Sequence, residues 1–292
     1  MEIMNYSKVS NNLNMNDIGF IQGRLSPMVG NRIQTFPWST WKDEFKISGE
    51  NNFKLIEWTL DQEDLYRNPL LTNKGQSEIN SLCELHGISI PSLTGDCFMQ
   101  APFWKTTAAK QKDLKNDFIK VLEACVSVGI SMIVVPLVDN GRIDNAKEED
   151  ILVKFLEDKE VFLYKNRLTI LFESDFDAKG LSKFISRLNP DLFGINYDIG
   201  NSAALGFDAT EEIDCYGYRI KNVHVKDRLL GGTTVPLGMG NADFIKVFSN
   251  LNRVGYKGNF ILQTARSTDG DHLGVLRKFR EMTANWISHS GT

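Results

Sequence analysis

The chain has 292 residues, with 33 lysines and arginines against 37 aspartates and glutamates, a formal net charge of −4, and 42% hydrophobic residues. These are ordinary globular values, which exclude a disordered chain or a low-complexity array. A mildly acidic chain without a basic block is a poor partner for nucleic-acid phosphates, and no run approaches the roughly 18 apolar residues of a membrane span.

Residues 1–16 (MEIMNYSKVSNNLNMN) are polar and asparagine-rich and lack the charged start, apolar run and small-residue cleavage site of a secretory leader. They are expected to form a flexible tail ahead of one domain over 17–292. Cys83, Cys97, Cys125 and Cys215 form no CxxC pair, so the expectation is reduced thiols in a cytoplasmic protein rather than a zinc knuckle or a disulfide framework.

Short β-branched runs then alternate with longer amphipathic stretches. A strand at 17–22 (DIGFIQ) precedes a helix at 38–50, and a strand at 53–58 (FKLIEW) precedes a helix at 72–86 closed by Gly87. Strands at 88–93 (ISIPSL) and 132–137 (MIVVPL) are followed by helices at 108–128 and 147–164. The last four strands are 168–173 (LTILFE), 193–198 (FGINYD), 220–225 (IKNVHV) and 259–263 (NFILQ). Their helices are 178–188, 209–218, 241–254 and 273–288. Near-continuous apolarity suits strands covered on both faces, and eight βα units predict a single-domain α/β fold, a (β/α)8 TIM barrel. A doubly wound open sheet is the alternative, but QGRLSP follows the first strand where a glycine-rich fingerprint would stand.

Catalytic groups of such barrels sit at the C-terminal ends of strands. Here those ends carry Gln22 and Arg24, Glu57, Asp96, Glu173, Asp198, His224 and Gln263. Glu173, Asp198, His224 and Gln263 come from four consecutive strands. One imidazole nitrogen with carboxylate and amide oxygens suits one divalent ion such as Mn²⁺, Mg²⁺, Co²⁺ or Zn²⁺.

The stretches 196–207 (NYDIGNSAALGF), 222–227 (NVHVKD), 236–244 (PLGMGNADF) and 255–262 (GYKGNFIL) resemble the xylose isomerase-like barrel superfamily. The resemblance is closest to its sugar and sugar-phosphate isomerase/epimerase branch, and within it to the L-ribulose-5-phosphate (L-xylulose-5-phosphate) 3-epimerases. It covers the second half of the chain well and the first half loosely. It implies a metal held by Glu173, Asp198, His224 and a fourth residue that is glutamate in the family and Gln263 here. The family's two glutamates serve as an acid/base pair on the two faces of the sugar, and a glutamine side chain cannot act as that base. The resemblance also implies a sugar or sugar phosphate as the small-molecule partner and a homo-oligomer.

Three readings follow. In the first, Glu173 alone moves a proton alpha to a carbonyl while the metal stabilises an enediolate. In the second, Asp96 or Lys226 replaces the missing acid; Lys226 lies two residues from His224 and points the same way if the strand continues. In the third, the barrel binds sugar or metal without turnover. A keto-inositol dehydratase-like lyase uses similar chemistry. Arg24 and Arg266 are candidate phosphate contacts, and Glu57, Asp96, Asn201 and Asp227 are candidate substrate contacts, with Asp139 as a further one. Trp58 and Phe98 are candidate pocket walls, whereas Trp104 reads as core. Gly238 to Gly240 read as a tight turn before a cap at Asn241 or Asp243, or as an anion cradle.

Overall fold

A computed structural model describes residues 17–30 and 32–290; the expected tail at 1–16 lies outside the described residues. Eight parallel strands close into a barrel: β1 (Ile18–Ile21), β2 (Ile56–Thr59), β3 (Ser92–Thr94), β4 (Met132–Leu137), β5 (Thr169–Ser174), β6 (Phe193–Asp198), β7 (Ile220–Val225) and β10 (Asn259–Leu262). Each pairs with its chain neighbour, and β10 pairs back onto β1, with Ile18 beside Phe260 and Phe20 beside Leu262. A hairpin of β8 (Asp227–Arg228) and β9 (Thr234–Val235) grows from the loop after β7.

The helices are α1 (Trp41–Glu50), α2 (Asn73–His86), α3 (Asp96–Gln100), α4 (Ala108–Val128), α5 (Ala146–Glu157) and α6 (Glu160–Asn166). They continue with α7 (Ala178–Ser186), α8 (Ile199–Leu205), α9 (Ala209–Tyr216), α10 (Phe244–Arg253) and α11 (His272–His289). Local chemistry sets their ends. Thr72 caps α2 by accepting the Gly75 N–H, and Gly87 closes it in the left-handed region at φ 63°. Asp243 caps α10 by accepting the Lys246 N–H.

Two expectations need correction. The third strand starts at Ser92 rather than 88, because Pro91 has no N–H to donate to a ladder. The helix expected over 147–164 is two, α5 and α6; its buried run ends at Leu156 and resumes only at Leu163. The short helices α3 and α8, which stand immediately after strand ends, were not among the expected elements.

Outside the barrel, Phe36, Trp41 and Trp58 form an edge-and-tilt cluster under α1. Phe98, Phe103, Phe118 and Phe155 pack together under α4 and α5. Trp58 and Phe98 are therefore core residues and not pocket walls, because their rings fill the layer between strands and helices. Trp104 is core as expected, its indole N–H donating to the Gly141 carbonyl at 3.1 Å. All four cysteines are free thiols.

Candidate active site and metal centre

The upper interior of the barrel is polar where most such barrels are aliphatic. Strand alternation turns Asn196 and Asp198 inward from β6 and Asn222 and His224 inward from β7, and register sets Asp198 beside His224. Glu173 enters from β5 and Glu57 from β2. Asn222 donates to Glu57 at 3.1 Å and to Asn196 at 2.8 Å, and Asn196 donates to Glu173 at 2.9 Å. The two glutamates are thereby tied through two asparagine amides.

Glu173, Asp198 and His224 each present a ligand atom within 4.8 Å of the others, and all three are buried. His224 Nε2 lies 2.7 Å from Glu57 Oε1, so its proton points at that carboxylate. His224 Nδ1 then faces Glu173 Oε2 at 3.1 Å and Asp198 Oδ2 at 3.9 Å, and it is buried without a hydrogen-bond partner. A lone pair and two carboxylates converging in a buried space call for a cation. Without a metal, a proton has to supply it: burial alone would lower the imidazole pKa, yet Glu57 and Glu173 outweigh it and push it up to about 10. Burial likewise works to raise Glu173, but His224 and then Lys226 hold it below the ordinary range. Asp198 is raised by burial, with Lys226 opposing. The orphaned nitrogen and this donor set fit a divalent ion.

Glu57 does not meet the cavity as a substrate contact would. It is wholly buried and accepts hydrogen bonds from Ser92, Thr94, Asn222 and His224. Its bond with Nε2 fixes the orientation of the imidazole.

Lys226, one residue past β7, occupies the fourth side of the cluster. Its Nζ donates to Asp198 Oδ2 at 3.2 Å, Asn201 Oδ1 at 3.3 Å and Gln263 Oε1 at 3.0 Å. The Gln263 Nε2 donates to Gln34 Oε1 at 2.7 Å, and Gln34 Nε2 donates to Asp96 Oδ2 at 2.7 Å. A chain of bonds thus runs from Lys226 to Asp96 and fixes the orientation of the Gln263 amide. Burial, followed by the Asp61 charge, pushes the Asp96 carboxyl up to about 7. Asp198 also caps α8 by accepting the Asn201 N–H at 2.8 Å, while the Asn201 amide donates to Glu173 at 2.7 Å. Gly200 makes room for this packing: a Cβ there would stand 2.7 Å from Lys226 Cγ.

A cavity of about 500 Å³ opens above the cluster, lined among others by Gln34, Asp96, Asp139, Glu173, Asn201, Lys226, Arg228 and Gln263. Arg24, Arg266 and Asp227 are not part of its lining. Arg24 donates to the carbonyls of Thr264 and Ile33, and Arg266 to those of Ile33 and Ser26. Both guanidiniums thereby tie down the loop after β1. Burial, then the Arg266 charge, lowers the Arg24 pKa to about 9. Asp227 is wholly buried and accepts the N–H groups of Gly238, Gly240 and Ala242. The Gly238–Gly240 segment is therefore an anion cradle, and its anion is a side chain of the same protein.

Sequence reasoning missed Gln34, Asn196, Asn222 and Arg228. Asn196 and Asn222 carried a readable signal, since each stands two residues before a site residue on a strand and so on the same face. Gln34 lies in a loop, and no pattern announced it.

A family model described as "Xylose isomerase-like TIM barrel" matches residues 45–282. The chain is 23% identical over 263 residues to the L-ribulose-5-phosphate 3-epimerase UlaE of Shigella sonnei, covering 86% of this chain and 92% of that protein. Among solved structures, it superposes on the IolI protein with a bound zinc atom at a TM-score of 0.72 and 15% identity, covering 94% of this chain and 98% of that one. It also superposes on a xylose isomerase domain protein from Alicyclobacillus acidocaldarius at 0.70 and 12% identity, covering 94% and 100%. The chain belongs to the xylose isomerase-like TIM barrel family.

Proposed function

We propose that the protein is a divalent-metal-dependent sugar isomerase or epimerase that moves a proton on the carbon alpha to a carbonyl. The observation that carries this reading is the buried, unpartnered His224 Nδ1 facing Glu173 and Asp198. Those three side chains would hold the ion, with the Gln263 amide oxygen as a neutral fourth donor. The mixed nitrogen and oxygen set suits Mn²⁺, Mg²⁺, Co²⁺ or Zn²⁺. Such an ion supplies Lewis-acid polarisation of a substrate carbonyl.

Glu173 is the base. Its carboxyl lines the cavity, its pKa is held low, and Asn196 and Asn201 fix both of its oxygens. It takes the alpha proton, leaving an enediolate, and returns it to the former carbonyl carbon on the same face, while the proton of the alpha hydroxyl passes to the former carbonyl oxygen. Lys226 and Asn201 donate to the oxygens that gain charge. Asp96 supports a second reading: a carboxyl in the same cavity with a pKa near 7 has the properties of a second acid for two-face epimerisation.

The test is deuterium uptake from D₂O into a panel of keto sugars by protein loaded with Mn²⁺ or Co²⁺. Wild type is expected to exchange one alpha proton and Glu173→Gln none. No exchange with any keto sugar would leave a binding barrel, and loss of water from the substrate would mark a lyase. Exchange that persists in Glu173→Gln would remove Glu173 as base.

A further inference from the structure

We infer that Gln34 is a positioning residue for the metal centre, fixing which atom of the Gln263 amide faces the ion. The inference deepens the proposed function and rests on it for the ion's location. Glu173 and Asp198 present an oxygen whichever way their carboxyl groups turn. Gln263 does not, because its amide has one oxygen that accepts and one NH₂ that only donates, in nearly the same shape. Turned by half a rotation, it would aim a donor at a cation. The terminal torsion of a glutamine is broad and two-fold, so rotamer preference does not choose between the two orientations.

The choice is made by the bonds that run through Gln34. At one end the Lys226 ammonium has only donors, and Gln263 Oε1 accepts from it at 3.0 Å. At the other end the ionised Asp96 carboxylate has only acceptors, so the Gln34 NH₂ turns to it at 2.7 Å. That leaves Gln34 Oε1 to accept from Gln263 Nε2, also at 2.7 Å. Donation from Nε2 raises the electron density on Oε1 and strengthens it as a ligand. The loop after β1 is built around this contact. The Ile33 carbonyl, one residue before Gln34, accepts from Arg24 Nη1 and Arg266 Nε at 3.0 Å each. Thr35 Oγ1 and the Phe36 N–H, just after it, both donate to Asp61 Oδ2 at 2.9 Å. Arg24, Thr35, Phe36 and Asp61 are all buried. These charges grip the residues on both sides of one half-buried glutamine, and so give it the fixed position that orienting another side chain requires.

The experiment titrates substrate-free protein with Mn²⁺ by calorimetry, in a double-mutant cycle of Gln34→Leu and Gln263→Glu. It is run at about pH 8, above the Asp96 pKa of about 7. In the wild-type background Gln34→Leu is expected to weaken affinity about tenfold. In the Gln263→Glu background the same change is expected to leave affinity unchanged or to tighten it. A carboxylate has no wrong face, and Gln34 could only donate to it, drawing charge away from the ion. Gln34→Ala, which adds no bulk, is read in parallel, with thermal melts of the metal-free proteins to show that each is folded. Equal weakening in both backgrounds would make Gln34 a structural support of the loop. Unchanged Mn²⁺ affinity with a raised KM would make it a substrate contact. Either result overturns the inference while leaving the metal centre in place. Absence of Mn²⁺ binding by the wild type removes the metal centre itself and the inference with it, so the two failures are told apart.

Discussion

The Glu57 carboxylate meets His224 Nε2 at 2.7 Å inside the barrel, with both side chains wholly buried. This pair decides which imidazole nitrogen faces the cavity floor. It joins a strand near the start of the chain to one near its end, 167 residues away.

Replacing Glu57 should therefore act on metal binding without touching the metal. In Glu57→Gln the neutral amide accepts fewer of the four hydrogen bonds now directed at it and removes the charge that raises imidazole basicity. Divalent-ion affinity is expected to fall by about 10–100-fold, with a stability cost of about 1–3 kcal/mol for the donors left short. Calorimetric titration with Mn²⁺ or Zn²⁺ beside a thermal melt of the metal-free protein separates the two effects. Unchanged affinity would mean that His224 is not a ligand.

Gln263→Glu places a carboxylate where an amide oxygen now accepts from Lys226 at 3.0 Å. The expected result is divalent-ion binding tighter by about tenfold or more, read by competition with a chelator, because a charged donor replaces a neutral one. Deuterium exchange at both faces of a ketose is expected to appear or to rise. The variant also loses the amide donor to Gln34, so Gln34 has to turn and release Asp96. Affinity that does not move would place Gln263 outside the ion's reach.

Asp227→Ala removes the acceptor of three backbone N–H groups. A loss of about 1–3 kcal/mol in unfolding free energy is expected. KM for any turned-over sugar should change little, because the carboxylate does not line the cavity. A large KM effect with an unshifted melting temperature would restore Asp227 as a substrate contact.

The pH dependence of stability has a definite sign at Glu44. It is wholly buried beneath the loop after β1 and accepts the N–H groups of Gly23 and Leu25. Burial, opposed by those bonds, raises its pKa to about 7 from an ordinary 4.5. The folded state binds the proton more tightly than the unfolded chain, so this contribution is complete below about pH 4.5 and is lost as pH rises through about 7. The size is on the order of 3 kcal/mol at most, taking 1.36 kcal/mol per unit. Asp96, also raised to about 7, acts in the same direction. Denaturant melts from pH 5 to 8 should show stability falling in wild type and a shallower fall in Glu44→Gln. Equal slopes would remove Glu44 as a contributor.

The sequence by itself determined the architecture. Eight apolar runs, the amphipathic stretches between them and Gly87 closing α2 are local signals, because capping and periodicity act over a few residues. It also determined the identity of the central cluster, since Glu173, Asp198 and His224 stand at the ends of strands, where a closed barrel must bring them together. Only the tertiary structure decided what the neighbouring charges do. Arg24, Arg266, Asp227 and Glu57 each looked available to a substrate, and each is spent inside the protein on a carbonyl, an amide cradle or an imidazole. Those partners lie up to 240 residues away, and a side chain's hydrogen bonds depend on distance in space, which closure of the barrel creates and spacing along the chain does not reveal.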